Sequence, residues 1–177
     1  MFLHLSPFKT ILVTGPQRSG TRICSKMIAH DLKCRHVDEQ EFRIDSINGL
    51  WRMVAHQDQQ AVYHCPAVSR IVHNLADLSP NEIAVVWMLR STEQIIRSQE
   101  DINWRYEPAE RIKYDATGDF RPIAEIKLGY WRRFQKPHIL NAYEVQYSAL
   151  KDHPLWVPRA IRHQRRDEGS WSWRETQ

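Results

Sequence analysis

Residues 15–22 read GPQRSGTR, and a glycine-framed loop carrying an arginine, a serine and a threonine suits the holding of an oxyanion. Such a loop can turn successive backbone N–H groups inward, and a helix beginning at its end adds the partial positive charge of its first turn. A second arginine, Arg90, closes the most apolar run of the chain, Ile83–Leu89. Arginine presents a planar fork that grips phosphate or sulfate at two points.

The glycine spacing matches the phosphate loop of nucleotide hydrolases and kinases, G-x-x-x-x-G-K-[ST], but Thr21 and Arg22 fill the last two places. In that pattern the lysine reaches the β- and γ-phosphates and the Ser/Thr hydroxyl holds Mg²⁺. An arginine at the hydroxyl position, and Arg90 where a metal-binding acid would close the next strong strand, put cations where a metal site needs anions. This composition argues for a second phosphate-like group on the ligand and against Mg²⁺-dependent nucleotide hydrolysis.

These residues need a strand before the loop and a helix after it. Thr10–Thr14 (TILVT) is a short β-branched run of the kind a buried parallel strand requires. From Ser19 onward, Ile23, Met27, Ile28 and Leu32 recur at helical spacing, and Arg35–Val37 reads as a second short strand. Ala61–His64 reads as a third, followed by a helix opening at Pro66 with Val68, Ile71, Val72 and Leu75 as its apolar stripe. After Ile83–Leu89, Ser91 with Gln94 three residues on forms a capping signature. Ile123, Ile126, Tyr130 and Phe134 mark another helix, and Tyr143, Val145 and Tyr147 alternate as a last strand. Residues 103–121 lack clean periodicity and carry Trp104, Tyr106 and Tyr114, so they are expected to form a lid or acceptor-binding insertion. Strands alternating with helices predict a three-layer α/β/α fold with a mainly parallel central sheet, of the P-loop nucleoside triphosphate hydrolase-like class. In such sheets ligands bind at the carboxyl ends of the strands, where both arginine-bearing segments fall.

Arg18-Ser19-Gly20-Thr21 resembles the 5′-phosphosulfate loop of sulfotransferases that use 3′-phosphoadenosine 5′-phosphosulfate (PAPS), in the form found in the protein-tyrosine sulfotransferase branch. Arg90 with Ser98 eight residues later is similar to that family's 3′-phosphate motif, a strand-end arginine and a serine two turns into the next helix. The likeness continues more loosely through residues 147–154 (YSALKDHP) and into residues 162–171 (RHQRRDEGSW), where the family closes on a basic, glycine-containing loop.

The resemblance implies in-line, metal-independent transfer of a sulfuryl group from PAPS to a hydroxyl or amine. Arg18 would bridge the 5′-phosphate and the sulfuryl group; Gly15, Ser19, Gly20, Thr21 and Arg22 would form the loop around the donor; Arg90 and Ser98 would hold the 3′-phosphate. Two positions resemble the base of different branches. Glu39, in residues 36–41 (HVDEQE), corresponds to the glutamate of the tyrosine-sulfotransferase branch, and His64 to the histidine of the cytosolic branch, although Val62 stands where that branch has lysine. The chain departs from the family at Arg22, in place of a second threonine, and at Ile23, in place of the aromatic that stacks on adenine. Trp51, Trp104, Tyr106 and Trp131 could stack on an acceptor, but an aromatic in a small domain is more often part of the core. The alternatives are a P-loop nucleotide or small-molecule kinase and a non-catalytic phosphate- or nucleotide-binding relative.

With 177 residues, 42% of them hydrophobic, one domain spanning 1–177 can bury a single core. The net charge of +4 is mild, but 18 of the 25 basic residues are arginine, which favours an oxyanion ligand. No basic run interleaved with aromatics precedes the C-terminal tail, so a small-molecule or biopolymer acceptor is expected rather than nucleic acid. Three cysteines with no metal-ligand spacing predict reduced, buried thiols, no zinc site and no disulfide framework. The sequence lacks a leader-like segment and a membrane-length apolar run, from which a cytoplasmic protein without membrane contact is expected.

Overall fold

The computed structural model describes residues 1–42, 47–101, 112–114 and 120–158. Among the described residues, seven strands and five α-helices follow one another in the order β1 (Thr10–Thr14), α1 (Thr21–Leu32), β2 (Arg35–Val37), α2 (Ile47–Ala55), β3 (Ala61–His64), α3 (Val72–Ala76), β4 (Ile83–Leu89), α4 (Thr92–Glu100), β5 (Ile112–Tyr114), β6 (Phe120–Pro122), α5 (Ile123–Tyr130) and β7 (Ala142–Gln146). Five of the strands form one sheet in the order β2-β3-β1-β4-β7, every pairing parallel. β5 and β6 pair separately as a small antiparallel ribbon.

A parallel strand buried on both faces must be apolar throughout, and β1 and β4 are buried at every position. Their side chains alternate between two cores. On one face Leu12, Tyr63, Val85, Trp87 and Leu89 pack with Leu50 and Val54 of α2 and with Val72 and Leu75 of α3. On the other, Ile11, Val13, Val62, Ala84, Val86 and Met88 pack with Cys24, Met27 and Ile28 of α1 and with Phe2, Leu5 and Leu150. The result is the three-layer α/β/α sandwich that the alternating pattern predicts.

The expected strands Thr10–Thr14, Arg35–Val37, Ala61–His64 and Ile83–Leu89 stand at those residues. The helix expected from Pro66 is instead split, a 3₁₀ turn over Pro66–Val68 and then α3, because Ile71 leaves helical geometry between them (φ −130°, ψ 10°). The helix after β6 passes into a π-turn at Trp131–Gln135. That turn places Trp131 wholly inside the core, stacked on Trp87 with ring centroids 4.7 Å apart and Nε1 donating to Glu144 Oε1 at 3.0 Å. Trp131 therefore takes the core role that is the commoner one for an aromatic in a small domain, and is not an acceptor-stacking residue. Trp51 is partly exposed, whereas Trp104 and Tyr106, most of the expected 103–121 insertion, and the 162–171 tail lie outside the described residues.

Cys24 and Cys65 are free and buried, Cys34 is free and half-buried, and burial pushes the thiols of all three up, which leaves them unreactive. No helix among the described residues is long and apolar enough to cross a membrane.

The N-terminal segment is tied to the sandwich through Asp31 on α1. Its carboxylate accepts from the backbone N–H of Phe2 at 2.9 Å and from the Met1 ammonium at 2.9 Å, and it pairs with the buried His153 at 2.9 Å. Burial alone would raise this carboxyl, but those hydrogen bonds more than reverse it and hold it well below the usual carboxylate range. A carboxylate depressed in the folded state contributes stability that is full above its unfolded value and is lost as pH falls through the folded one. Thermal melts from pH 7 down to pH 3 are therefore expected to lose a few degrees less in Asp31→Asn than in the parent, the variant starting from a lower melting temperature at neutral pH.

Candidate functional site

The connection leaving β1 runs through α1 towards β2 at one edge of the sheet, and the connection leaving β4 runs through α4 towards β7 at the other. Adjacent strands whose exits diverge leave a crevice at their carboxyl ends, the general ligand position in open α/β sheets. Residues 15–22 and Arg90 both lie there.

The loop is held in an unusual backbone path. Gly15 and Gly20 have φ of 145° and 100°, and Arg18 has φ of 67° although it carries a side chain. A left-handed non-glycine residue costs on the order of 1–2 kcal/mol and persists where surrounding contacts over-determine it. Those contacts come from β4. A Cβ on Gly15 would lie 3.1 Å from the Met88 carbonyl oxygen, and Arg90 Nη1 donates to the Arg18 carbonyl at 2.8 Å. The Arg90 guanidinium also sits 4.1 Å over the Tyr147 ring, within cation–π range, and the edge of that ring occupies the space where a Gly20 side chain would go. One tyrosine at the end of β7 thus fixes both the second arginine and the helix entry.

Inside the loop, Ser19 is fully buried and its Oγ has no hydrogen-bond partner among the described residues. A buried hydroxyl in that state costs on the order of 1–3 kcal/mol, which an oxyanion in the loop would offset. Gly20 is the N-cap of α1 and has no side chain to satisfy the first-turn N–H groups, so these too face the loop.

Behind the loop, Thr21 Oγ1 lies 3.0 Å from His64 Nε2, and both residues are buried. His64 Nδ1 faces Asp38 Oδ2 at 3.7 Å, an ion-pair rather than a hydrogen-bond separation. Asp38 is in turn gripped by Arg22, Nε to Oδ2 and Nη2 to Oδ1, each at 3.0 Å. Burial by itself would raise the Asp38 carboxyl; His64 and Arg22 reverse this and keep it well below the usual carboxylate range. Glu39 is half-buried, and its Oε2 is buried without a partner among the described residues. Burial pushes its carboxyl up, partly opposed by His64.

The ten sequence-derived residues divide accordingly. Gly15, Arg18, Ser19, Gly20 and Arg90 converge on the crevice. Thr21 and His64 meet behind it. Arg22 is half-exposed and committed to Asp38. Glu39 stands beside that pair, and Ser98 is half-buried in the last turn of α4, with no hydrogen bond to the loop among the described residues. Asp38 and Tyr147 as site residues were not anticipated; HVDEQE and YSALKDHP contain them, but only the three-dimensional meeting of strand ends gives them partners. Also unanticipated is a narrow cleft on the α4–α5 side of the loop, lined by Pro16, Gln17, Ile95, Gln99 and Lys127, with Lys127 only 7% exposed.

No protein-family profile matches the chain, and no curated protein matches it. Among solved structures, the fold is similar to a shikimate kinase from Acinetobacter baumannii in complex with shikimate, at 10% identity and a TM-score of 0.47, covering 95% of this chain and 94% of that one. It is also similar to a gluconokinase from Sinorhizobium meliloti 1021, at 11% identity and a TM-score of 0.45, covering 79% and 82%. Both are kinases, as in the alternative drawn from the sequence, and neither is a sulfotransferase.

Proposed function

We propose that the chain is a group-transfer enzyme that binds a nucleotide at the crevice between β1 and β4, with PAPS as donor and a hydroxyl or amine as acceptor. The observation that carries this reading is the meeting of Arg90 with the Arg18 carbonyl, which sets two arginines at a crevice whose β4 side offers no carboxylate for Mg²⁺. A donor with two separate phosphate-like groups matches two arginine positions, and sulfuryl transfer requires neutralised charge and a base, not a metal.

Arg18, on the strained loop tip, would neutralise the transferring group, and the loop N–H groups and the Ser19 hydroxyl would take the 5′-phosphate. Of the two candidate bases, Glu39 fits better. Its raised carboxyl and unpartnered oxygen suit proton acceptance, whereas the His64 ring is buried with its nitrogens directed at Thr21 and Asp38. Transfer from ³⁵S-labelled PAPS to a panel of alcohols, phenols and amines is expected to proceed in EDTA. Glu39→Gln should slow it by roughly 10²–10⁴-fold with donor affinity unchanged. The parent rate should fall as pH drops through a value above the ordinary glutamate range. Transfer that persists in Glu39→Gln would remove Glu39 from the role.

One observation favours a second reading, phosphoryl transfer from ATP. Asp38 and Glu39 stand together at the end of β2 beside the loop, and carboxylates are the ligands Mg²⁺ takes alongside phosphates. Label transfer from γ-³²P-ATP with Mg²⁺, and none from PAPS, would establish it.

A further inference from the structure

We propose that Lys127 is a third cationic group of the donor site, binding an oxygen of the group being transferred from the α4–α5 side of the loop. The inference rests on the reading of the loop as a nucleotide-donor site and adds the residue that holds the donor's transferring end.

Two helices bring polar side chains to one notch beside the loop. On α4, Ile95 and Gln99 are one turn apart and both are buried. On α5, Ile123, Ala124 and Lys127 share the buried face. Ile95 and Ala124 pack in a small apolar cluster of their own, separate from the two sheet cores. One turn further along each helix the apolar stripe ends in Gln99, 3% exposed, and Lys127, 7% exposed. Lysine is among the side chains least often fully buried, and burying its charge is costly unless an anion lies beside it. Both helix faces meet the phosphate loop at Pro16 and Gln17, so Gln17, Gln99 and Lys127 line one notch.

That notch has room for about one water-sized group, so it takes a single oxygen rather than a nucleoside or an acceptor ring. Because Pro16 and Gln17 form one of its walls, the oxygen that enters it belongs to the group attached to the loop-held phosphate. An ammonium has three N–H donors, so Lys127 can serve such an oxygen while keeping a protein partner, and the two glutamine amides can donate beside it. Arg18 is exposed at the loop tip, where water weakens its field; Lys127 acts from a position that largely excludes water. In the transfer, the S–O bond to the 5′-phosphate breaks and its electron pair stays with the phosphate. The acceptor oxygen or nitrogen forms the new bond to sulfur, and its proton passes to the base proposed above. The sulfuryl oxygens carry negative charge throughout, and Lys127 offsets it at one of them.

The experiment is calorimetric titration in EDTA with PAPS and, separately, with adenosine 3′,5′-bisphosphate, which lacks the transferring group. The proteins are the parent, Lys127→Met and Lys127→Gln. Methionine keeps the length without the charge, and glutamine keeps a polar end should the apolar one fail to fold. PAPS affinity should fall by roughly 10- to 100-fold in Lys127→Met and by less in Lys127→Gln. Affinity for the bisphosphate should change by less than about twofold in either. A lysine with a merely structural role moves both ligands together or neither, and either result would overturn the inference while leaving the donor site standing. Absence of bisphosphate binding by the folded parent would overturn the donor reading instead. The same titrations with ATP and ADP in Mg²⁺ then decide the lysine: selective weakening of ATP in Lys127→Met upholds its role, and no selective weakening ends it.

Discussion

Arg90→Ala is expected to weaken binding of adenosine 3′,5′-bisphosphate by roughly 10- to 100-fold. The guanidinium contributes in two ways. It supplies a charged donor beside the crevice, and a hydrogen bond to a charged group is worth about 1.5–3 kcal/mol, or one to two decades of affinity. It also holds the Arg18 carbonyl at 2.8 Å and so maintains the left-handed turn that shapes the loop. Arg90→Lys separates the two contributions. A lysine keeps the charge but lacks the planar fork and the same stacking on Tyr147, so it should recover only part of the loss. Equal affinity of Arg90→Ala and the parent would mean that the strand-end arginine faces no second phosphate.

Gly20→Ala is expected to destabilise the fold by about 2–5 kcal/mol. A φ of 100° is disfavoured for any residue with a Cβ, at on the order of 1–2 kcal/mol. In addition the new Cβ would sit 2.5 Å from Tyr147 Cδ2 and 2.8 Å from Cε2, and over-packing of that kind costs roughly 1–3 kcal/mol. For a chain of this size the melting temperature should fall by roughly 5–20 °C. A double-mutant cycle identifies the cause. In a Tyr147→Ala background the clash disappears and the backbone penalty remains, so the glycine substitution should cost about 1–3 kcal/mol less. Additive effects would show that Tyr147 does not pack against the start of α1.

The sheet was largely readable because its central strands are buried on both faces. Thr10–Thr14 and Ile83–Leu89 are continuous apolar runs bounded by a loop glycine and a capping serine, and Ser91 accepts from the Gln94 N–H at 3.3 Å as that spacing predicts. The helix α2 is hard to read from sequence although Ile47, Leu50, Trp51 and Val54 have helical spacing and Ser46 is a capping residue type, because Gly49 and Asn48 fill its first turn with poor helix formers. The ribbon of β5 and β6 has three-residue strands, too short for alternation to register. At the site, the loop letters revealed the chemistry but not the constraint on it. That Tyr147 lies against Gly20, that His64 meets Thr21 and that Arg22 is spent on Asp38 all depend on strand order, which brings residues distant in sequence to one end of the sheet.

The most direct test of the account is a paired titration of the purified protein with adenosine 3′,5′-bisphosphate in EDTA and with ADP in excess Mg²⁺. Two cationic positions at a crevice without a β4 carboxylate predict micromolar binding of the bisphosphate without metal and at least tenfold weaker binding of ADP with Mg²⁺. Tight ADP binding that requires Mg²⁺, with no binding of the bisphosphate, would contradict it and make the phosphoryl-transfer reading the correct one.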